Sequence, residues 1–313
     1  MNKLKICFIG IGSIAKRHIK NLISICQEKE ISIQIDALRR KNSVNYNIEG
    51  FQFNTIFYEY DEIPSDYDII FITNPTEYHI EALERVHNKA RHFFIEKPIT
   101  SYQKLSMVSN LIYRSESVYY VACPLRYTNI IQYIKNTVNL NDVLSVRCIS
   151  SSYLPDWRPG TNYKDSYSAH KELGGGVSID LIHEWDYIQY LFGNPSNILC
   201  LSGKISNLDI NSEDYACYIA DYRDKIVELH LDYFGREPIR QIMLIMKDET
   251  LVGDFVKCKI YKMKSGDMID FSETRDDYQK KELEYFLSLI KDEQAINYIP
   301  ESCRTLNYTQ GVV

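Results

Sequence analysis

The chain has 313 residues, of which 45% are hydrophobic and 25% are charged, a composition typical of a globular protein with one or two domains. Its formal net charge of −6 excludes a global basic field, and no run approaches the roughly 18 apolar residues of a membrane span. The apolar run near the N-terminus is too short for a signal peptide. We therefore expect a cytoplasmic protein that binds neither nucleic acid nor membrane.

Eight cysteines are scattered along the chain without a C-x-x-C pair. This spacing favours buried thiols in a reducing compartment over a disulfide framework or a zinc site. We predict no bound metal.

The first 122 residues alternate short apolar runs with helical patterns, which indicates parallel βαβ units. The predicted helices cover residues 14–26, 77–88 and 102–115, and the predicted strands cover residues 4–9, 33–38, 53–58, 68–73, 92–95 and 118–122. We predict an α/β Rossmann fold, a doubly wound parallel sheet, as a dinucleotide-binding domain over residues 1–122. Such sheets bind ligands at the carboxyl ends of their strands.

The pattern changes after residue 122. Helices are predicted at 177–192 and 278–290, and strands at 145–153, 198–205, 215–222, 225–234, 240–246 and 256–261. Runs of strands after a βαβ half predict a second, α+β domain over residues 123–313, with a large and mostly antiparallel sheet. We expect this domain to bind the substrate and to form oligomers.

A glycine-rich turn follows the first predicted strand and opens a helix, with the sequence Gly10-Ile11-Gly12-Ser13-Ile14-Ala15. In a G-x-G-x-x-G/A motif the first glycine permits the tight turn and the second lets a pyrophosphate approach the backbone. The third small residue packs the helix on the sheet. A plain tight turn is the alternative, which the strand–turn–helix context disfavours. We predict that these six residues bind a dinucleotide.

The end of the second strand bears on the choice of cofactor. Asp36 lies before the tip, and the tip itself carries Arg39 and Arg40. A tip carboxylate would bind the ribose hydroxyls of NAD, whereas guanidinium groups suit the 2′-phosphate of NADP. A solvated basic turn is the alternative. The sequence favours NADP and leaves NAD open.

Several further motifs occur in a fixed order: Thr73-Asn74-Pro75 with His79, Glu96-Lys97-Pro98, Arg126-Tyr127, and Gly174-Gly175-Gly176 with Asp180 and His183. Together with the glycine-rich turn they resemble the Gfo/Idh/MocA family, the glucose-fructose oxidoreductase and inositol dehydrogenase group. The resemblance implies a catalytic group of Lys97, His183 and Asp180. It implies further cofactor contacts from Thr73, Asn74, Pro75, His79, Glu96, Lys97 and Arg126, and a homodimer or homotetramer.

The chemistry of these residues agrees with that implication. A partly desolvated Lys97 at a strand end can exchange a proton with a substrate hydroxyl. Asp180 and His183 are i, i+3 on the predicted helix and so share one of its faces. A surface lysine and a core histidine are the alternatives. Two departures from the family pattern are the two residues, rather than three, between Asp180 and His183, and Pro124 where many members have Asn.

The segment between residues 151 and 174 is rich in aromatic, hydroxyl and charged side chains, and long loops in compact domains are usually functional. Such side chains suit a sugar, and we predict substrate contacts from Trp157, Arg158, Tyr163, Tyr167 and His183. The loop resembles that of family members in surface-sugar metabolism, which implies a nucleotide sugar or a surface-polysaccharide precursor. A loop that only packs over the sheet, or an oligomer contact, is the alternative.

The leading prediction is an NAD(P)-dependent oxidoreductase that transfers a hydride between nicotinamide and a hydroxyl or keto carbon of a sugar or sugar derivative. A catalytically inactive dinucleotide-binding sensor of the same fold, or a reductase of a non-sugar substrate, is the alternative. The joint presence of Lys97, Asp180 and His183 favours the enzyme. One face of the second sheet is expected to pack on the 177–192 helix, and the other to self-associate through Tyr215, Tyr222, Leu229, Leu231 and Tyr233.

Overall fold

The computed structural model describes residues 3–41, 48 and 50–313. Its strands are, in chain order, β1 (Lys3–Ile9), β2 (Ser32–Leu38), β3 (Ile56–Phe57), β4 (Tyr67–Ile72), β5 (Ala90–Ile95), β6 (Tyr119–Val121), β7 (Val143–Tyr153), β8 (Asn197–Gly203), β9 (Tyr215–Asp221), β10 (Ile226–Asp232), β11 (Phe234–Met246), β12 (Thr250–Asp254), β13 (Lys259–Lys262) and β14 (Met268–Asp270). Its α-helices are α1 (Ser13–Glu28), α2 (His79–Val86), α3 (Asn129–Thr137), α4 (Val177–Asp180), α5 (His183–Phe192), α6 (Arg275–Lys291) and α7 (Ile299–Tyr308).

The first sheet has six parallel strands in the order β3-β2-β1-β4-β5-β6. This is the strand order of a doubly wound Rossmann sheet, and it confirms the predicted α/β class. The central strands β1, β4 and β5 are buried at nearly every position, since parallel strands of this kind are covered on both faces. The carboxyl ends of all six strands therefore lie along one edge of the sheet.

A row of aromatic rings crosses this first sheet and explains a difference from the predicted domains. Phe8, Phe71 and Phe94 stack with ring centroids 4.5 and 4.8 Å apart, and Phe286 of α6 packs edge-on against Phe94 at 5.3 Å. Each such pair adds about 0.5–1.5 kcal/mol beyond the area it buries. Consequently Arg275–Cys303 form one compact unit with the residues up to Ala122, whereas the sequence analysis assigned them to the second domain.

The second unit comprises Cys123–Thr274 and Arg304–Val313 and contains an eight-stranded sheet in the order β14-β13-β12-β11-β7-β10-β9-β8. Only β7 and β10 pair in parallel, and the other neighbours pair antiparallel, which confirms the predicted, mostly antiparallel sheet. Helix α5 covers one face, where Trp185 meets the ring of Tyr218 at 5.2 Å.

Four of the five residues expected on the open sheet face are buried, namely Tyr222, Leu229, Leu231 and Tyr233. Leu229 lies directly opposite Tyr218 in the β10–β9 register and so points toward α5, and Leu229, Leu231 and Tyr233 are at most 2% exposed. Tyr222 is also buried, and Tyr215 is half-buried. Side chains alternate between the two faces of a strand, so the open face instead carries the intervening positions. Its exposed apolar residues at the β8 edge are Leu199, Leu201 and Ile219.

Three predicted elements differ in the structure. The helix expected at 102–115 is a run of 3₁₀ turns, Tyr102–Asn110, in which only Val108 is buried, so an α-helix there would have no apolar face to cover. The strand expected at 256–261 is the turn and second strand of the β12–β13 hairpin. Helices α3 and α7 were not predicted.

The third difference concerns the helix expected at 177–192, which the structure divides into α4 and α5. Leu181 leaves helical geometry, with φ −99° and ψ 28°. Asp180 therefore ends one helix and His183 begins another, and they do not share the face of a single helix as predicted. No α-helix among the described residues is both long and apolar enough to cross a bilayer.

Candidate active site

The two glycines of the turn between β1 and α1 have different reasons to be glycine. Gly10 has a φ of +88°, and a Cβ there would lie 2.7 Å from the Cα of Asn74. Gly12 has an ordinary, extended backbone, and a Cβ there would meet no protein atom within 4 Å. The fold itself thus requires a glycine at position 10, whereas at position 12 it leaves open space beside the backbone.

The N-terminus of α1 lies beside this space, and no side chain among the described residues caps its first backbone N–H groups. The first turn of the helix also has no acidic residue. The first N–H groups of a helix and its dipole favour an anion. An open Gly12 and an uncapped helix together fit the pyrophosphate of a dinucleotide, with Ser13 and Ile14 in the first turn and Ala15 buried against the sheet.

The tip of β2 carries no carboxylate. Asp36 is 2% exposed and accepts a hydrogen bond of 2.7 Å from the hydroxyl of Tyr67. Arg39 and Arg40 follow the end of the strand, and Arg40 is exposed with its guanidinium 5.6 Å from the ring centre of Tyr78. The charge at this tip is therefore positive.

The loop after β4 is tied to the glycine-rich turn. The Thr73 hydroxyl lies 2.7 Å from the Gly10 carbonyl, to which it donates. The amide oxygen of Asn74 is buried and has no hydrogen-bond partner among the residues that the structure describes, and Pro75 beside it is exposed. A buried acceptor next to the turn is a further feature that a bound ligand could satisfy.

His79, which the sequence predicts as a cofactor contact, is held between two loops of the first unit. The side chain is 1% exposed, and its two ring nitrogens lie 2.9 Å from the carbonyl oxygens of Asn74 and Pro98. Burial lowers the pKa of His79. The imidazole thus joins the loop after β4 to the loop after β5, and both of its polar atoms already have protein partners.

Lys97 is the second residue after the central strand β5 and is half-buried. Its neighbour Glu96 is bound by the imidazole of His18, which projects from α1 and is 1% exposed. Burial disfavours the Glu96 carboxylate, but the hydrogen bond and charge of His18, with the charge of Lys97, hold its pKa below the ordinary value. Histidines from two helices therefore fix the residues on either side of Lys97.

In the second unit, Asp180 is buried and two tyrosines surround it. The hydroxyl of Tyr233, which is fully buried, donates a hydrogen bond to the Asp180 carboxylate. Burial and the adjacent carboxylate raise the pKa of Tyr233, and the packing around its hydroxyl, with the same carboxylate, raises that of Tyr167. Both phenols consequently stay protonated at neutral pH and can serve Asp180 as hydrogen-bond donors.

Helix α5 supplies the other predicted residue of this group and holds Arg126. His183 is its first residue and is half-buried. Arg126 binds Asp186 of the same helix through two hydrogen bonds of 2.9 and 2.8 Å. Such a two-point ion pair fixes the orientation of the guanidinium. The sequence analysis predicted Arg126 as a cofactor contact and did not identify Asp186 as its partner.

The predicted substrate loop packs over the tyrosines. Trp157 meets Tyr233 edge-on at 5.2 Å, and the guanidinium of Arg158 lies 5.5 Å from the ring centre of Tyr167. Trp157, Arg158 and Tyr163 line one pocket of this unit together with Leu154, Pro155, Thr161, Ser166 and Ser168. The structure therefore brings three of the predicted substrate residues to one concave surface, with Tyr167 beside it.

Two residues of the site were not predicted. His18 resembles an ordinary helical core position in the sequence, and Tyr233 was interpreted as part of an open sheet face. Their partners are distant in the chain, 78 residues away for His18 and 53 for Tyr233. A histidine at a core-facing position of a helix carries no local signal for a carboxylate partner so far away in the chain.

A comparison with protein-family models now bears on this site. The model of the oxidoreductase family Gfo/Idh/MocA, with an NAD-binding Rossmann fold, matches residues 4–123. Residues 4–123 of the chain are therefore similar to the NAD-binding domain of that family. The match covers the glycine-rich turn, the loop after β4 and the Glu96-Lys97-Pro98 motif, and it confirms the resemblance drawn from the sequence. A search of curated proteins finds no significant match.

Solved structures of similar fold are dehydrogenases. Levoglucosan dehydrogenase in complex with NADH aligns with a TM-score of 0.84 at 13% identity, over 99% of this chain and 96% of that one. UDP-N-acetylglucosamine 3-dehydrogenase from Acidithiobacillus ferrooxidans aligns at 0.76 and 18%, over 100% and 97%. For myo-inositol 2-dehydrogenase from Lactobacillus plantarum the values are 0.76 and 16%, over 98% and 95%. At these identities the alignments show that this chain shares the whole fold of these proteins.

Proposed function

We propose that this chain is an NAD(P)-dependent dehydrogenase or reductase of the Gfo/Idh/MocA family that acts on a hydroxyl or keto carbon of a sugar or sugar derivative. One observation carries the proposal. The open, uncapped turn at Gly12 and the half-buried Lys97 both follow central strands of the parallel sheet, β1 and β5, at the carboxyl edge where such sheets bind ligands.

A bound nicotinamide would supply or accept the hydride. The chain itself must then move one proton at the substrate oxygen, and we assign that task to Lys97. As a neutral amine it accepts the hydroxyl proton during oxidation, and as an ammonium it donates a proton to the new hydroxyl during reduction. His18 and His79 hold Glu96 and Pro98, the neighbours of Lys97, so that the amine is positioned by a fixed backbone.

In the second unit we assign His183 to binding a substrate hydroxyl. We assign Asp180 to orienting His183 or balancing its charge. The tyrosine hydroxyl on Asp180 supports this role, since its hydrogen bond fixes the position of the carboxylate. We assign substrate contacts to Trp157, Arg158, Tyr163 and Tyr167, because aromatic faces and hydrogen-bonding groups together suit a sugar. Three of these side chains line the pocket of this unit.

For the cofactor we propose a preference for NADP over NAD. The positive tip of β2, with Asp36 buried and bound to Tyr67, supports binding of a 2′-phosphate rather than of a free ribose hydroxyl. The phosphates would lie on residues 10–15, and Thr73, Asn74, Pro75 and Lys97 would complete the nicotinamide end. We propose that Arg126 affects cofactor binding only indirectly, because two of its nitrogens already donate hydrogen bonds to Asp186.

The substrate class is tested by a screen for hydride transfer. Purified protein is mixed with NADPH or NADH and with free sugars, inositols and UDP-sugars, and nicotinamide absorbance is followed in both directions. These compounds are chosen because the structurally similar enzymes are named as dehydrogenases of levoglucosan, UDP-N-acetylglucosamine and myo-inositol. Turnover of one class that Lys97→Ala abolishes would support the enzyme. Tight cofactor binding with no turnover across the screen would favour the sensor.

We further propose that the chain forms a homodimer or homotetramer in the cytoplasm. The exposed Leu199, Leu201 and Ile219 on the open face of the second sheet support self-association. All eight cysteines lie in the described residues and none forms a disulfide, which suits a reducing compartment. Leu201→Lys should lower the sedimentation coefficient at micromolar concentration, and a wild-type monomer would contradict the assembly.

A further inference from the structure

Three side chains on the second sheet form a hydrogen-bonded series that the proposed dehydrogenase chemistry does not use. Cys217 on β9 lies directly opposite His230 on β10, and its sulfur is 3.2 Å from Nδ1 of His230. The Nε2 of the same imidazole is 2.9 Å from Oδ2 of Asp232. A thiol, an imidazole and a carboxylate thus follow one another within hydrogen-bonding distance.

The carboxylate at the end of this series is firmly held. Asp232 is 3% exposed, and its Oδ1 accepts hydrogen bonds from the hydroxyl of Ser151 at 2.9 Å and from the backbone N–H groups of Phe234 and Gly235. Burial disfavours the charge, but these donors and His230 keep the pKa of Asp232 below its ordinary value. The group is therefore an ionised carboxylate that can only accept hydrogen bonds.

The direction of the hydrogen bonds follows from that charge. Because Asp232 only accepts, Nε2 of His230 carries a proton and donates it to the carboxylate. In the neutral imidazole Nδ1 is then the lone-pair nitrogen, and it accepts the S–H of Cys217. Burial, and then the charge of Asp232, raise the pKa of the Cys217 thiol, so the sulfur is protonated at neutral pH and a base must remove its proton.

In the monomer the series is open to small molecules, whereas self-association through this face would cover it, because Leu201 lies directly opposite Cys217. The His230 side chain is 42% exposed, and Cys217 is half-buried on the face of the sheet opposite α5. On the same face Glu228 and Arg147 form an ion pair at 3.1 Å, so their charges largely cancel each other. A nucleophile, a base in contact with it and a third group that orients the base are the parts of an activated nucleophile.

We propose that Cys217 is a base-activated nucleophile and a site of covalent modification by small, soft carbon electrophiles. In the step itself the sulfur attacks the electrophilic carbon, an S–C bond forms and the bond to the leaving group breaks. The leaving group departs with its electron pair. The thiol proton passes to Nδ1 of His230, and Asp232 stabilises the resulting imidazolium. The proposal is independent of the dehydrogenase activity.

The experiment uses iodoacetamide, whose iodide is the leaving group, on the full chain at pH 7. Rates of carbamidomethylation are measured for each cysteine by peptide mass spectrometry, at a protein concentration where sedimentation shows a monomer. Cys200 on the neighbouring strand β8 is the matched control, because it is exposed, also has a pKa raised by burial and has no histidine partner among the described residues. The variants are His230→Gln and Asp232→Asn.

We expect Cys217 to react at least tenfold faster than Cys200, although Cys200 is the more exposed, because His230 can accept the proton of the Cys217 thiol. His230→Gln should remove that advantage and leave the rate at Cys200 unchanged, which also shows that the sheet remains folded. Asp232→Asn should lower the rate at Cys217 by a smaller factor. A wild-type Cys217 no faster than Cys200, or an unchanged Cys217 in folded His230→Gln, would overturn the proposal.

Discussion

The imidazole of His18 hydrogen-bonds the carboxylate of Glu96, the residue that immediately precedes Lys97. His18 belongs to α1, whose N-terminus carries the glycine-rich turn, and Glu96 directly follows the central strand β5. One buried side-chain contact therefore joins the helix proposed to bind the cofactor phosphates to the segment that carries the proposed acid/base. A shift of α1 would therefore displace the segment after β5, and a shift of that segment would displace α1.

Stability should depend on this contact in a defined pH range. Because the pKa of Glu96 is lower in the folded than in the unfolded chain, its carboxylate stabilises the fold above the ordinary value of 4.5. That contribution is lost as the pH falls through the lower, folded-state value. Glu96→Gln should lower the free energy of unfolding by about 1.5–3 kcal/mol at pH 7 and by less in acid.

Urea denaturation at several pH values measures this difference. Glu84→Gln is the control, since Glu84 is exposed on α2 and should change the free energy of unfolding by no more than about 0.5 kcal/mol at any pH. A Glu96→Gln penalty that is equal at pH 7 and in acid would show that the charge does not contribute.

The two glycines of the turn should separate folding from cofactor binding. Gly10→Ala places a methyl 2.7 Å from the Asn74 Cα at positive φ, and it should lower the free energy of unfolding by about 1–3 kcal/mol. Gly12→Ala meets no protein atom, so it should change stability by no more than about 0.5 kcal/mol.

The same Gly12→Ala protein should bind NADPH at least tenfold more weakly, because the methyl occupies the space left beside the helix N-terminus. Denaturation and nicotinamide fluorescence titration measure the two effects on one preparation. Unchanged NADPH affinity in Gly12→Ala would remove the phosphate site from this turn.

The strands of the first sheet could be predicted well from the sequence, whereas the hydrogen bonds between distant side chains could not. Buried parallel strands such as β1 and β4 are apolar at nearly every position, and a glycine-rich turn after such a strand is a local pattern, so both could be predicted. The bond from Tyr233 to Asp180 joins residues 53 positions apart and leaves no local pattern. Alternation along β10 showed two faces but could not tell which one α5 covers, and the face carrying Leu229 was assigned wrongly.

Cofactor preference should follow the arginines after β2. Arg39→Ala with Arg40→Ala should weaken NADPH binding at least tenfold and NADH binding little, because only NADPH has a 2′-phosphate. The wild-type preference for NADPH should also shrink at high salt. Arg91→Ala is the control and should change neither affinity, because Arg91 lies at the amino end of β5 and not at the carboxyl edge of the sheet. Equal wild-type affinities for the two cofactors at every salt concentration would refute the NADP preference.

The tyrosine on Asp180 should matter for turnover and not for the cofactor. Tyr233→Phe removes the buried hydroxyl that donates to Asp180, and it should lower kcat about tenfold while the Kd for NADPH stays unchanged. Tyr222→Phe is the matched control, since the Tyr222 hydroxyl is also buried and has no hydrogen-bond partner among the described residues. Equal turnover in the two variants would exclude Tyr233 from positioning Asp180.

The most direct measurement compares Lys97→Ala with the wild-type chain on whichever sugar substrate the screen identifies. Lys97 lies outside the glycine-rich turn, so the Kd for NADPH should change less than about threefold, which also serves as the folding control. Without a positioned acid/base, turnover should fall by about 10²- to 10⁴-fold. Turnover within a few-fold of the wild-type value, with the cofactor bound normally, would contradict the assignment of Lys97 as the group that moves the substrate proton.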